Sequence, residues 1–213
     1  MPRGSAELTN ARREEIIAAC EKLYQTMSFK EITLKDIAGA TSFTRTSIYN
    51  YFQTKEEIFL ALMQREYEHW VAELDNLRDG SDSMSVEAFS DALARTLEKR
   101  GMLLKLLSMN LFDMEENSRP ECLREFKEAY GASIEALRRC LVKFFPGMDA
   151  KARQDFLYAF LPFLYGLYPY TTVSGKQRQA MAEAGLDFVY MSVYDMACNC
   201  VRALLRGSGG VQS

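Results

Sequence analysis

Along this chain the apolar positions recur every three to four residues and show no sustained alternation of the strand type, so the pattern predicts helices throughout. Ile16, Cys20, Leu23, Tyr24 and Met27 form the first stripe. Thr33 to Ala40 reads as a short second helix, with Thr33-x-x-Asp36 as its capping signal and Ile37 inward. A third runs from Thr44 to about Phe52 and buries Ile48 and Phe52, four positions apart. A fourth opens at Thr54, where Thr54-x-x-Glu57 has the form of a capping box. Its stripe, from Phe59 through Tyr67 and Trp70 to Leu77, continues for about 23 residues, roughly 34 Å of helix.

Gly80 to Ser85 is the clearest loop. A helix to about Lys99 and a short apolar piece from Met102 to Leu111 follow. Ser118-x-x-Glu121 is the expected cap of a long helix carrying Leu123, Phe126, Tyr130, Ile134, Leu137, Leu141 and Phe144 on one face, ended by Pro146 and Gly147. Ala150 to about Tyr168 is apolar almost all round and must be covered on every side. Ser174-x-x-Gln177 opens a short helix, and the last long one is expected from about Leu186 to Arg206. The predicted fold class is all-α, with about nine to ten helices: an N-terminal three-helix bundle over residues 1–55, a larger helical bundle over 56–206, and a disordered tail over 207–213.

A chain of 213 residues, 48% hydrophobic and 26% charged, is an ordinary globular composition that buries a core without disulfides or metal. The longest apolar run, Phe156 to Tyr170, is too short for a membrane span and is interrupted by Pro162 and Pro169. With Met1 to Ala11 polar, no signal segment is expected and the location is read as cytoplasmic. Five cysteines, an odd number and spread out, read as reduced thiols. Cys198 and Cys200 point to different faces of a helix, and the single histidine, His69, is distant, so no metal site is expected. There is no glycine-rich phosphate loop and no triad around that histidine. No catalytic residue and no cofactor is therefore assigned, and the chain is read as a non-enzyme. The net charge of -3 is unevenly spread: residues 1–55 carry eight Lys/Arg against six Asp/Glu, so the body is the acidic part. A mildly basic end on an acidic body suits local contact with nucleic acid.

Three short helices with only Thr41, Ser42 and Phe43 between the second and third have the geometry of a helix-turn-helix, whose second helix enters the major groove. Opposite Ile48 and Phe52, the third helix would present Arg45, Thr46, Ser47, Tyr49 and Asn50, all able to bond base edges or phosphates. Lys35 sits in the supporting helix, and Lys55 in the first turn of the fourth, where a phosphate could meet its charge. The stretch from Ile32 to Phe59 resembles the DNA-binding signature of the TetR family of transcriptional regulators. The matching positions are Thr33, Asp36-Ile37-Ala38, Thr44, Ile48-Tyr49-x-Tyr51-Phe52, Lys55 and Glu57. With the preceding helix the resemblance covers about residues 10–60. Two positions depart from it: Ser42 stands where the turn often has glycine, and Asn50 where an aromatic is common. The resemblance implies that Thr33, Lys35, Thr44, Tyr49, Tyr51 and Lys55 hold phosphates while Arg45, Thr46, Ser47 and Asn50 face bases. A polar helical hairpin is also compatible with a plain solvated face.

In the body, Tyr67, Trp70, Met102, Met109, Phe112, Phe126, Tyr130, Phe163 and Tyr165 are candidates for an adaptable apolar pocket, with plain core packing as the competing reading. The resemblance implies that a pocket for a small-molecule effector exists. The last two long helices are expected to form a homodimer across a two-fold axis, through Phe160, Leu164 and Gly166 of one and Val189, Val193, Met196, Cys200 and Leu204 of the other, with ordinary intrachain core as the competing reading for either helix. The expected function is a sequence-specific regulator of double-stranded operator DNA: a repressor released from a palindromic site by a small apolar or aromatic ligand. A ligand-responsive activator and a helical interaction protein without DNA binding are the alternatives.

Overall fold

The computed structural model describes residues 3–207, and all regular structure in that span is helical. Eleven helices follow one another: α1 (Arg3–Thr26), α2 (Leu34–Gly39), α3 (Arg45–Ile48), α4 (Lys55–Asp79), α5 (Val86–Glu98), α6 (Gly101–Leu107), α7 (Leu111–Glu116), α8 (Pro120–Phe144), α9 (Ala150–Thr171), α10 (Gly175–Glu183) and α11 (Val193–Gly207). The number exceeds nine to ten because the apolar piece from Met102 to Leu111 spans parts of two short helices. α6 ends in a turn in which the Met109 amide bonds the Leu106 carbonyl at 3.1 Å. α7 starts after Asn110, whose side-chain amide reaches Asp113 at 2.7 Å.

Caps set most boundaries. Thr33 and Ser174 make complete capping boxes with Asp36 and Gln177, as their spacing predicts. Ser85 and Asp149 cap α5 and α9 through the amides of Ala88 and Ala152. Four expected boundaries are corrected. Thr54 accepts from the Glu57 amide at 3.2 Å, but the Glu57 carboxylate takes the Gln53 amide, so the box at Thr54 is half closed. Ser118 does not cap α8; its hydroxyl donates to the Met114 carbonyl at 2.8 Å. Pro120 takes the first helical position, where a missing N–H is no loss. α3 is shorter than Thr44 to Phe52, giving way to turns after Ile48. The last helix starts at Val193 rather than near Leu186. α10 closes in a Schellman turn, with Gly185 at φ 67° and the Leu186 and Gly185 amides bonding the Met181 and Ala182 carbonyls, each at 3.0 Å. Residues 186–192 then run irregularly until Ser192 caps α11 by accepting from the Asp195 amide at 3.0 Å. The expected tail lies, from residue 208 onward, outside the described residues.

The chain forms two compact units. One comprises residues up to Glu66 together with Asn110–Tyr130; the other comprises Tyr67–Met109 and the residues from Gly131 on. The first unit is thus larger than the 1–55 segment expected, taking in α4 as far as Glu66, α7 and the start of α8. Its core holds Ile16, Ile37, Ile48 and Phe52 without exposure, and the Phe59 ring meets those of Tyr24 and Phe29 edge-on at 5.1 and 4.8 Å.

In the second unit α11 packs on α5 and α9, burying Ala197, Cys198, Val201 and Leu205. Trp70 is fully buried, and its indole N–H donates to the Thr96 hydroxyl at 3.0 Å. That hydroxyl donates in turn to the Leu93 carbonyl at 2.7 Å, so the buried polar atoms are satisfied in series. All five cysteines are free thiols. Burial pushes Cys20 up to about 12 and Cys140 up to about 11, which keeps both protonated at neutral pH. Cys198 is buried and accepts from Arg202 at 3.2 Å, while Cys200 is half-buried. Among the described residues no helix is long and apolar enough to cross a membrane.

Candidate nucleic-acid interface

α2 and α3 are joined by a turn whose shape comes from side chains. The Thr41 hydroxyl donates to the Ala38 carbonyl at 3.0 Å and accepts from the Phe43 amide at 3.3 Å. Ser42 is gripped from α1: its amide donates to one Glu15 oxygen at 2.6 Å and its hydroxyl to the other at 3.2 Å. No residue other than glycine has positive φ among the described residues, so the turn works with serine where the family often has glycine. Accepting the Ser42 amide, and then its hydroxyl, holds the Glu15 carboxyl below the usual carboxylate range.

α3 begins with Thr44, which accepts from the Ser47 amide at 3.3 Å and shares a hydroxyl contact with Ser47 at 3.0 Å. Ile48 and Phe52 are fully buried. Thr44, Arg45, Thr46, Tyr49 and Asn50 are exposed, and Ser47 is half-buried. The Arg45 guanidinium donates to the Tyr49 hydroxyl at 3.1 Å and lies 5.9 Å from its ring centre, an i,i+4 pairing that keeps the longest arm of this face extended along the helix. Thr33 and Lys35 are exposed at the start of α2. The Asp36 carboxyl is held low by the Thr33 hydroxyl and amide that donate to it. Tyr51 is half-buried, and its hydroxyl accepts from Arg12 at 3.4 Å; the same guanidinium lies 5.7 Å from the Phe43 ring centre.

Lys55 occupies a different setting from the other candidates. Its ammonium donates to the carbonyls of Phe29 at 2.7 Å and Ile32 at 3.1 Å, and sits 4.2 Å from the Phe29 ring centre. Two of its three protons thus tie the turn after α1 to the start of α4. Sequence reasoning missed Arg12 and Glu15, which support this face from α1, and Arg119, the partner of the Glu57 that the signature and the capping spacing mark. Glu15 and Ser42 are 27 positions apart, and Glu57 and Arg119 are 62 apart, so neither pair leaves a local spacing signal.

The structure spreads the nine pocket candidates over both units. Tyr67, Trp70, Met102, Met109, Phe163 and Tyr165 fall in the second unit, and Phe112, Phe126 and Tyr130 in the first. Tyr67, Trp70 and Phe126 are buried, but Phe112 is 68% exposed on α7. The dimer candidates also divide. Phe160 and Leu164 are buried in the chain's own core. Val189 lies in the irregular segment, 76% exposed, rather than on the last helix. Gly166, Val193, Met196, Cys200 and Leu204 are half-buried, and none of the last four is among the buried α11 residues Ala197, Cys198, Val201 and Leu205.

An all-helical chain that carries a helix-turn-helix with a polar outer face belongs to the class of DNA-binding regulators. The sequence profile of bacterial regulatory proteins of the tetR family matches residues 16–62, and that of the tetracyclin repressor-like C-terminal domain matches residues 64–209. The chain belongs to the TetR family of transcriptional regulators. It is 25% identical over 97 residues to the uncharacterized HTH-type transcriptional regulator YfiR of Bacillus subtilis, covering 45% of this chain and 47% of that protein, about half the relative's length. Its fold is similar to that of a transcriptional regulator of the TetR/AcrR family from Thermobifida fusca (TM-score 0.59, 19% identity, 92% and 98% of the two chains). It is also similar to Thermus thermophilus FadR, a TetR-family repressor solved in complex with lauroyl-CoA (TM-score 0.57, 20% identity, 94% and 97%).

The structural role of Lys55 is measurable. Lys55→Met leaves the Phe29 and Ile32 carbonyls without their charged donor and is expected to lower unfolding free energy by ~1–3 kcal/mol in urea titrations. A variant as stable as the parent within ~0.5 kcal/mol would remove the structural role and leave the phosphate role alone.

Proposed function

We propose that this chain is a homodimeric repressor that reads a palindromic operator with the face Thr44–Asn50 and leaves it when an apolar small molecule binds the body. It acts by binding, not turnover, and works where chromosomal DNA is, in the cytoplasm. The observation that carries the reading is the exposed row of Thr44, Arg45, Thr46, Tyr49 and Asn50 standing on a fully buried Ile48 and Phe52. A rigid apolar seat beneath a row of donors and acceptors is what base readout in the major groove requires. In this reading Arg45, Thr46, Ser47 and Asn50 face bases. Thr33, Lys35, Thr44, Tyr49 and Tyr51 hold phosphates, and Lys55 adds its remaining proton.

The second copy is proposed to pack on the outer faces of α9 and α11. Ala152, Ala159 and Gly166 recur every seven residues along α9 and are half-buried or exposed, and α11 offers Met196, Cys200, Ala203 and Leu204 on the side away from its own core. Ala152, Ala159, Ala203 and Leu204 line one groove between the two helices. Small residues at such a crossing let four helices approach closely across a two-fold axis. For the effector, a fatty acyl group is the first class to test, because a repressor of similar fold holds lauroyl-CoA.

Three experiments check this reading. Selection of bound DNA from a random pool is expected to return a palindrome. Arg45→Ala should then relax one or two positions per half-site at ~1–3 kcal/mol, while Lys35→Ala weakens all sequences alike and lowers the salt slope by about one. Unchanged base preference in Arg45→Ala would overturn the assignment. In light scattering the parent should be a dimer, and Ala203→Arg, at an exposed position, a folded monomer. A folded monomeric parent at micromolar concentration refutes the dimer. Lauroyl-CoA titrated against Trp70 fluorescence should bind more weakly when operator is present, by the factor with which it weakens operator binding. Equal affinities with and without operator exclude that compound as the inducer.

A further inference from the structure

Behind the reading face lies a carboxylate that no DNA contact explains. Glu57, in the first turn of α4, is 1% exposed. One of its oxygens accepts from the Arg119 amide at 3.1 Å and from Arg119 Nε at 2.8 Å; the other accepts from the Gln53 amide at 2.7 Å and from Arg119 Nη2 at 3.0 Å. The same Arg119 Nη2 donates to the Tyr51 carbonyl at 3.2 Å, and Glu121 pairs with Nη1 at 3.4 Å. One residue pair further out, the Thr54 hydroxyl donates to the Asn117 carbonyl at 3.1 Å. Residues 117–119 therefore grip residues 51–57, the chain that leaves the recognition helix and enters α4.

We propose that Arg119 is a positioning residue for operator recognition: through Glu57 and the Tyr51 carbonyl it fixes the end of the recognition segment without touching DNA. The need for such a brace is physical. α3 is a four-residue helix followed by turns, too short to set its own orientation. A bidentate guanidinium–carboxylate pair that also takes a backbone carbonyl fixes distance and plane together, which a lysine at the same place does not. With Nε and Nη2 spent on Glu57 and Tyr51, Arg119 keeps only Nη1, 3.4 Å from Glu121, for any other partner, and the salt slope measured below tells a brace from a phosphate contact. The inference rests on the reading of Thr44–Asn50 as the DNA face.

The test uses the full-length chain, the operator selected by the parent, and Arg119→Gln, Arg119→Lys, Glu57→Gln and the double variant Glu57→Gln/Arg119→Gln. Arg119→Gln and Glu57→Gln should each weaken operator binding roughly tenfold or more, the scale of one lost base contact, and the double variant no more than the worse single one. Arg119→Lys should fall between parent and Arg119→Gln. The slope of log affinity against log salt should stay at the parent value in all four, and amide exchange should quicken at residues 51–57 in the free protein. A slope lowered by about one in Arg119→Gln makes Arg119 a phosphate contact and overturns the proposal. Operator affinity within twofold of the parent in Arg119→Gln, with lowered stability, makes the pair a fold contact only and overturns it as well. Should the parent select no DNA, the underlying reading fails, and unchanged exchange at residues 51–57 in Arg119→Lys would separately defeat the brace.

Discussion

A carboxylate taken out of water costs several kcal/mol unless its charge and lone pairs are met, and Glu57 sets this requirement at the point where the reading segment becomes a long helix. Burial by itself would raise its pKa. The Arg119 hydrogen bonds, the Gln53 amide and the Arg119 charge more than offset that and hold it below the usual carboxylate range. The requirement is met by a residue 62 positions away, so the fold has to bring the turn before α8 back to the start of α4. This explains why the first compact unit takes in Asn110–Tyr130 and is more than the first three helices.

Two neighbours in the first turn of α4 do opposite electrostatic work. Lys55 supplies positive charge to the carbonyls of Phe29 and Ile32, closing the turn after α1, and Glu57 supplies negative charge to the amides of Gln53 and Arg119. Both settle backbone groups that a short irregular linker leaves without a helical partner. The carboxylate also sits where the free amides of a helix start favour negative charge. A sequence such as Thr54-Lys55-Glu56-Glu57 thus serves as a fastening point for three separate stretches of chain.

What the sequence discloses and what it hides divides along range. The capping boxes at Thr33 and Ser174, the inward Ile37, Ile48 and Phe52, and the register of the helix-turn-helix are properties of residues three or four apart, and all were legible. The irregular stretch from Leu186 to Ser192 is legible in principle too, since Ser192-x-x-Asp195 has the same capping form as Thr33-x-x-Asp36, but Val189, four positions before Val193, reads as part of the last helix's own stripe. Phase was harder. On α9 the apolar positions run nearly all round, so sequence could not say that Phe160 and Leu164 turn inward while Ala159 and Tyr158 turn out. The braces at Glu15–Ser42 and Glu57–Arg119 had no signal, because a lone charged residue on a helix surface looks the same whether or not a distant partner arrives.

The short α3 also constrains how the face can read DNA. Before any base is met, Arg45 is already bonded to Tyr49, and Tyr51 to Arg12. In the proposed reading, a base contact by Arg45 would exchange the Tyr49 contact for a bidentate one, and only the difference between the two would contribute to affinity. Because the Arg45–Tyr49 pair is exposed, the contact given up is worth about 1 kcal/mol or less, whereas the ordering of a long side chain has already been partly met in the free protein. A guanidinium parked on a phenol one turn away is therefore neither trapped nor loose. Its reach is limited by where Tyr49 stands, and Tyr49 stands where Ile48 and Phe52 are held beneath it. In the proposed reading, base preference at the Arg45 position would be set by the apolar seat as much as by the arginine.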